Sequence, residues 1–413
     1  MPCRRPKLRI QLAGMLLASM ALAAQRPLVA AAQGGIRVSE APAPTYDFGG
    51  SIAFHLTAAS MANIESATLY INTGGLTPAI WHSAPFQPAA QVEATVSFDL
   101  ALNPLPPFGP INYWWEIVDQ AGQTLTTPPA SFAYEDNRFT WQTVSSGSVT
   151  VHWYRGDQSF GQKAADIATS ALPTITQDVR APLPEHLNVY IYATDNDVHS
   201  ALGRVGVAYA NGHADPKLGV VIISVAPDLR ASYNLQIQIP HEMTHVLIYR
   251  AAAGNYARVP YWFNEGLAVM HQGQRDSNFP ALLAAARDSQ QFLSLSRLCG
   301  PFNPAQVSLA YAESESVVRY VRARFGAEGI NRLLTAYAGG ADCGPGVQSS
   351  LGLSLDQLQA DWQQNLAPAP VTVQERAQAL APWFLLAALV LLAPFTLLLA
   401  AVRRRPPTRK VAG

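Results

Sequence analysis

His241-Glu242-Met243-Thr244-His245, set in an apolar run that continues through Val246-Leu247-Ile248, decides how this chain is read. On a helix, positions i and i+4 lie on one face. His241 and His245 can therefore direct one ring nitrogen each at a common point. Two imidazole nitrogens one turn apart suit a zinc ion, which accepts them at about 2.0–2.1 Å. Glu242 is rotated off that axis. It is poorly placed to bind the same ion and well placed to hold a proton-accepting oxygen beside an attacking water.

A third ligand is expected from Tyr261-Trp262-Phe263-Asn264-Glu265-Gly266-Leu267-Ala268, in which Glu265 follows His245 by twenty positions. A first helix, a connection through Gly254 and Pro260, and a second helix can return Glu265 to the two imidazoles. That leaves a fourth position open, the arrangement of a catalytic rather than a structural site. Apolar and aromatic neighbours make a solvated surface carboxylate the poorer reading of Glu265, because an unpaired buried carboxylate is costly. Pro240 directly precedes His241. Either the helix starts at Pro240, where proline is welcome, or it is kinked there.

The two stretches HEMTH and FNEGLA resemble the gluzincin clan of metallopeptidases, the thermolysin and M1 aminopeptidase type. The closest resemblance is to the peptidase MA-like domains of bacterial membrane proteins, and it covers roughly residues 140–365. It implies an α+β, thermolysin-like domain that takes zinc on His241, His245 and Glu265. Glu242 would be the catalytic base and acid, and peptides or proteins the substrates. Tyr311, forty-six residues after Glu265 on an expected helix, is the candidate to steady the oxyanion, a task related peptidases give to a phenol or an imidazole. The run from Asp215 to Ile222 (DPKLGVVI) resembles the edge strand that pairs with substrate backbone in such enzymes. Leu351–Trp362 (LGLSLDQLQADW) resembles their helical C-terminal end. The Gly-x-Met-Glu-Asn exopeptidase motif of the M1 group is missing, so nothing points to trimming from an N-terminus. His213 and His271 read as structural or surface histidines rather than a fourth ligand. Arg319 reads as part of a solvated helix face.

Residues 36–135 read as an all-β, immunoglobulin-like or fibronectin-like sandwich. Ser51–Thr57, Ser66–Asn72, Ala94–Leu100 and Asn112–Val118 alternate apolar and polar residues between Pro/Gly-rich turns. This part carries no catalytic constellation and reads as a spacer or accessory module. The texture changes near Asp136, and 138–365 reads as the peptidase-like domain. Val149–Tyr154, Leu187–Ala193 and Leu218–Ser224 are expected strands. Gln162–Leu172 is an expected helix ended by Pro173. From Leu235 to Asn365 the pattern is helical. A mixed sheet followed by a helical block is an α+β layout.

Lys+Arg and Asp+Glu are both 28, so no net field points to nucleic acid. Met1 to about residue 32 has a basic head, an apolar stretch from Ile10 to Ala24 and small-residue cleavage sites, the pattern of a secretory signal. Residues 366–381 read as a linker. Pro382–Val402 is uncharged and of bilayer length, and 403–413 is a basic tail. Together these place the bulk outside a cell on one C-terminal membrane span, with the tail inside. Cys3 falls in the signal, which leaves Cys299 and Cys343 to pair in an oxidising compartment. The rival reading is a surface adhesion protein on an idle peptidase fold. Retention of Glu242 and all three ligand candidates speaks against it. A sheddase-like protein acting on neighbouring membrane proteins is a special case of the peptidase reading.

Overall fold

The computed structural model describes residues 35–73, 79–203, 212–252 and 254–366, with isolated helical positions from Leu380 to Val390. The signal segment 1–32, the basic tail 403–413 and most of the linker 366–381 and the span Pro382–Val402 lie outside the described residues. Among the described residues no helix is long and apolar enough to cross a membrane. Two compact units divide the chain across, not along, the sequence. One holds the described residues up to Lys163 together with His186–Ala231. The other holds Ala164–Glu185 and the described residues from Ser232 onward.

The first unit begins with eight strands in one hydrogen-bonded sheet: β1 (Arg37–Glu40), β2 (Thr45–Tyr46), β3 (Ser51–Thr73), β4 (Ile80–Ser83), β5 (Ala89–Asp99), β6 (Pro110–Asp119), β7 (Thr124–Thr126) and β8 (Ala130–Ala133). β3 joins them. Its first half pairs with β1, β2 and β5, and its second half with β4 and β6. Sequence reading expects two strands here, Ser51–Thr57 and Ser66–Asn72; the structure has one of 23 residues. The intervening residues 58–65 contain neither glycine nor proline to end it. Burial changes phase instead. Ile52, Phe54, Leu56, Ala58 and Ile64 face the core, then Ala67, Leu69 and Ile71 do, with register shifts on either side of Ile64.

A second sheet in the same unit contains β9 (Gln142–Ser146), β10 (Val149–Trp153), β11 (Leu187–Tyr192), β12 (Gly212–Asp215) and β13 (Val220–Ser224), in the order β12-β13-β11-β10-β9. β10, β11 and β13 run parallel, with antiparallel β9 and β12 outside them. This corrects the edge-strand expectation for Asp215–Ile222. Asp215 ends β12, the edge strand, whereas Val220–Ile222 belong to β13, which is bonded on both sides. Between them the Asp215 carboxylate accepts the amides of Lys217 and Leu218, and Gly219 has φ +68°, so the chain turns. The continuous apolar run Val220–Ile223 is what a doubly flanked strand requires.

Helix α1 (Gln158–Asp178) contributes its residues from Ala164 to the second unit, and α2 (Asp195–Leu202) lies in the first. Pro173 does not end α1 as expected. Beyond it Ile175 and Val179 are fully buried and Asp178 is tied by ion pairs, and this packing outweighs the lost hydrogen bond. The rest of the second unit is helical: α3 (Ala231–Ala251), α4 (Tyr261–Met270), α5 (Phe279–Ser289), α6 (Leu295–Leu298), α7 (Val307–Ala338), α8 (Cys343–Leu351) and α9 (Leu355–Leu366). α4 packs against α7. Cys299 and Cys343 form a disulfide with their Cα atoms 6.0 Å apart. The carbonyl of Cys299 accepts the Tyr261 amide at 3.1 Å, so the bridge also anchors the start of α4.

Candidate metal centre

α3 is buried along its second half, around the two histidines. Ile239, Met243, Val246 and Ile248 are wholly buried, and Leu247 nearly so. Pro240 lies inside this helix, nine residues after its start, so a helix beginning at Pro240 is excluded. Proline has no amide hydrogen, and the carbonyl of Gln236, four residues back, loses its helical donor. The amide of Gly273 supplies the replacement, donating to that oxygen at 2.8 Å. A Cβ at Gly273 would meet Gln236 Cβ at 3.2 Å and its carbonyl oxygen at 3.3 Å, so a bare backbone suits the approach. The Gln274 amide nitrogen donates to Gln236 Oε1 at 2.8 Å. The segment after α4 is thus clamped to α3 just ahead of His241.

That clamp sets α4 beside α3. Glu265 Oε2 lies 3.6 Å from His241 Nε2 and 3.7 Å from His245 Nε2. One ligand atom from each of the three residues falls within 4.8 Å of the others. A tetrahedral zinc with bonds near 2.1 Å holds its ligand atoms about 3.4 Å apart. Two imidazole nitrogens and one carboxylate oxygen at these separations fit zinc in both spacing and donor type.

Each imidazole is held from behind. His245 Nδ1 lies 3.1 Å from Asn264 Oδ1, and the Asn264 amide nitrogen donates to the Tyr256 hydroxyl at 3.1 Å. His241 Nδ1 lies 3.0 Å from the side-chain amide nitrogen of Gln272, a donor, so in this arrangement Nδ1 accepts. At His245 the Asn264 oxygen accepts from Nδ1, which leaves Nε2 its lone pair, the tautomer a ligand needs.

The electrostatics separate the two carboxylates. Burial alone would raise Glu265, but the charges of His245 and His241, with hydrogen bonds from His241 and Tyr311, outweigh it and hold the carboxyl down at about 2. Burial pushes Glu242 up to about 7; Glu265 adds to the rise and His245 opposes it. The two carboxyls are thus shifted in opposite directions, Glu265 down and Glu242 up. Tyr311 reaches the site, its hydroxyl bonded to Glu265, and burial together with the Glu265 and Glu242 carboxylates raises it. Burial likewise raises Tyr256, to about 12.

His271 is not a ligand. Its Nε2 faces Asp178 Oδ2 at 3.2 Å and its Nδ1 faces Thr244 Oγ1 at 3.2 Å. Thr244 spends its own proton on the Pro240 carbonyl, 2.7 Å away, so it accepts from His271. Arg322 closes the network on Asp178 at 2.7 Å. Thr244, His271 and Asp178 are all buried, so their arrangement holds helices together and meets no substrate. His213 lies on β12, outside the cluster of His241, His245 and Glu265. Arg319 is exposed, as expected of a solvated helix face, and it also pairs with Glu315, a wholly buried carboxylate that binds Arg275 at 2.9 Å.

Sequence reasoning names the five residues His241, Glu242, His245, Glu265 and Tyr311, and the structure brings them together. It misses Asn264, Tyr256 and Gln272. The one available signal is adjacency for Asn264, next to Glu265; Gln272 lies beyond the end of α4, where helical spacing says nothing of it.

No curated protein matches the chain. Among solved structures it is similar to wild type OgpA from Akkermansia muciniphila, at 12% identity and a TM-score of 0.22, covering 26% of this chain and 31% of that one. The chain thus spans about a third of that protein's length. It is also similar to an M1 zinc metallopeptidase from Deinococcus radiodurans, at 13% identity and a TM-score of 0.33, covering 82% of this chain and 96% of that one. Residues 167–368, which carry α3, α4 and α7 and with them every residue of the site, match the family model described as the Peptidase MA superfamily.

Proposed function

We propose that this chain is a zinc-dependent peptidase that hydrolyses peptide bonds, with His241, His245 and Glu265 as metal ligands and Glu242 as the proton carrier. The observation that carries the reading is a three-donor cluster with zinc spacing and, next to His241 on the same helix, the buried carboxylate of Glu242. Zinc bound there would polarise the scissile carbonyl and make an attacking water more acidic. Glu242 takes the water's proton and hands it to the leaving amine nitrogen. Tyr311 donates to the substrate carbonyl oxygen as it gains negative charge.

The membrane tether belongs to the same proposal. Pro382–Val402 is a span by composition, and the arginines after it mark the cytoplasmic side. The Cys299–Cys343 disulfide supports an oxidising compartment for the helical unit. The β-strand unit serves as an accessory module that positions substrate or partner near the membrane.

The test is metal analysis of the purified protein, with Glu242→Gln assayed beside it on a mixed peptide library. Both proteins should carry one zinc. Cleavage by the variant should fall by about 10²–10⁴-fold. Equal cleavage by both would assign the chemistry to another group, and a wild-type protein without zinc would end the proposal.

A further inference from the structure

Each imidazole of the centre has a side-chain amide behind it. Behind His245, the Asn264 amide has its oxygen on the ring and its nitrogen on the Tyr256 hydroxyl. Behind His241, the Gln272 amide nitrogen lies 3.0 Å from Nδ1, so in this arrangement Nδ1 accepts and the Gln272 oxygen is turned away from the ring. A half-turn of a side-chain amide exchanges its oxygen for its nitrogen at almost no steric cost. Gln272 can therefore present either end to His241.

We infer that Gln272 is a positioning residue that decides whether His241 can serve as a ligand. When its oxygen faces the ring, Nδ1 carries the proton and the Nε2 lone pair points at Glu265 and the ion. When its nitrogen faces the ring, Nδ1 is the acceptor and Nε2 carries the proton, which then points at the Glu265 carboxylate. Metal loading selects the first arrangement.

The backbone shows that the placement of Gln272 is built in. Gln272 lies between His271, locked to Asp178 and Thr244, and Gly273, locked to the Gln236 carbonyl. The carbonyl that Pro240 frees and the bare backbone of Gly273 bring this residue to the face of α3 where His241 emerges. Proline one residue before a metal ligand thus acquires a purpose: it opens the acceptor that holds the ligand's own supporting residue in place. Partners of ligating imidazoles affect metal affinity by about 10–100-fold.

The inference rests on the proposed zinc centre, and its test avoids peptide cleavage as the readout. The full chain, Gln272→Leu and Gln272→Glu are compared by chelator-competition titration with zinc. Imidazole ¹⁵N spectra are recorded for each, metal-free and zinc-loaded. The leucine variant should bind zinc about 10–100-fold more weakly and lose the hydrogen-bonded Nδ1 proton of His241, while the His245 proton stays. The glutamate variant, which keeps an acceptor, should bind at least as tightly as wild type. Melting curves of the metal-free proteins should coincide, which separates positioning from folding. Zinc affinity within about twofold of wild type in the leucine variant, or a His241 Nδ1 proton unchanged in it, overturns the inference. A wild type that binds zinc here and cleaves no peptide would contradict the proposed function and leave the role of Gln272 standing.

Discussion

Gly266 runs so close to α7 that a Cβ on it would lie 2.5 Å from the carbonyl oxygen of Ser314 and 2.7 Å from Val318 Cγ2. The oxygen belongs to helix backbone and cannot turn aside. This contact sets the distance between α4 and α7, and with it the position of Glu265, one residue earlier, and of Tyr311, three residues before Ser314. The glycine of the Asn-Glu-Gly stretch is thus a packing requirement one residue away from Glu265.

Gly266→Ala should therefore act at a distance from any ligand atom. Overpacking a tight helix contact costs about 1–3 kcal/mol, and here the strain falls on the helix that carries Glu265. The variant should melt at a lower temperature and bind zinc more weakly, with the three ligand side chains intact. Calorimetry and chelator competition measure the two effects. A variant that melts and binds like wild type would mean that α4 and α7 separate freely, and the packing argument would be wrong.

Asp178 offers a second check, on the acid side. Burial alone would raise it; hydrogen bonds and charges from His271 and Arg322 outweigh that and hold the carboxyl below the usual range. A carboxylate lowered in the folded state stabilises the protein above its unfolded pKa, and that contribution drains away as pH falls through the folded value. Asp178→Asn removes the charge while His271 and Arg322 remain. The variant should lose about 3 kcal/mol near pH 7, and the gap to wild type should shrink as the pH is lowered below about 4. Urea melts across that range read the effect. A gap independent of pH would show that Asp178 acts through shape and not through charge.

The parts of the site legible in sequence were those that one helix encodes by itself. His241 and His245 are separated by one turn, and Glu242 projects beside them, so their spacing alone carried the chemistry. Glu265 required one further step, a second helix returning across a short connection. What stayed hidden was whatever holds those helices in place. Gln236 and Gly273 meet through a backbone bond that no side chain announces, and His271 finds Asp178 across 93 residues. The exposure of Arg319 is legible, but nothing in its neighbourhood says that Glu315, one turn earlier and its partner, is wholly buried. The length of β3 was invisible for a different reason. A bulge leaves no glycine or proline behind, so the shift in alternation read as a gap between two strands. The turn at 216–219 carries its signals in Asp215, Pro216 and Gly219.

Glu313 provides the last prediction, opposite in sign to that for Asp178. Its side chain is wholly buried on α7, and both oxygens lie near the Leu293 amide, at 3.2 and 3.1 Å. Unlike Glu315, two residues on, it has no ion pair among the described residues. Burial pushes its carboxyl up to about 8, and the Leu293 amide pulls the other way without prevailing. Between its ordinary value of 4.5 and that raised value, the folded protein holds a proton that the unfolded chain releases. Stability from this group is therefore complete below about 4.5, declines as the pH rises, and levels off above about 8. Glu313→Gln keeps an oxygen for the Leu293 amide and has no charge to desolvate. It should match wild type near pH 4.5 and exceed it by about 1–3 kcal/mol at pH 8. Urea melts at the two pH values decide the matter. If the difference between the proteins is the same at both, Glu313 does not carry its proton into the fold, and the buried neutral carboxyl is excluded.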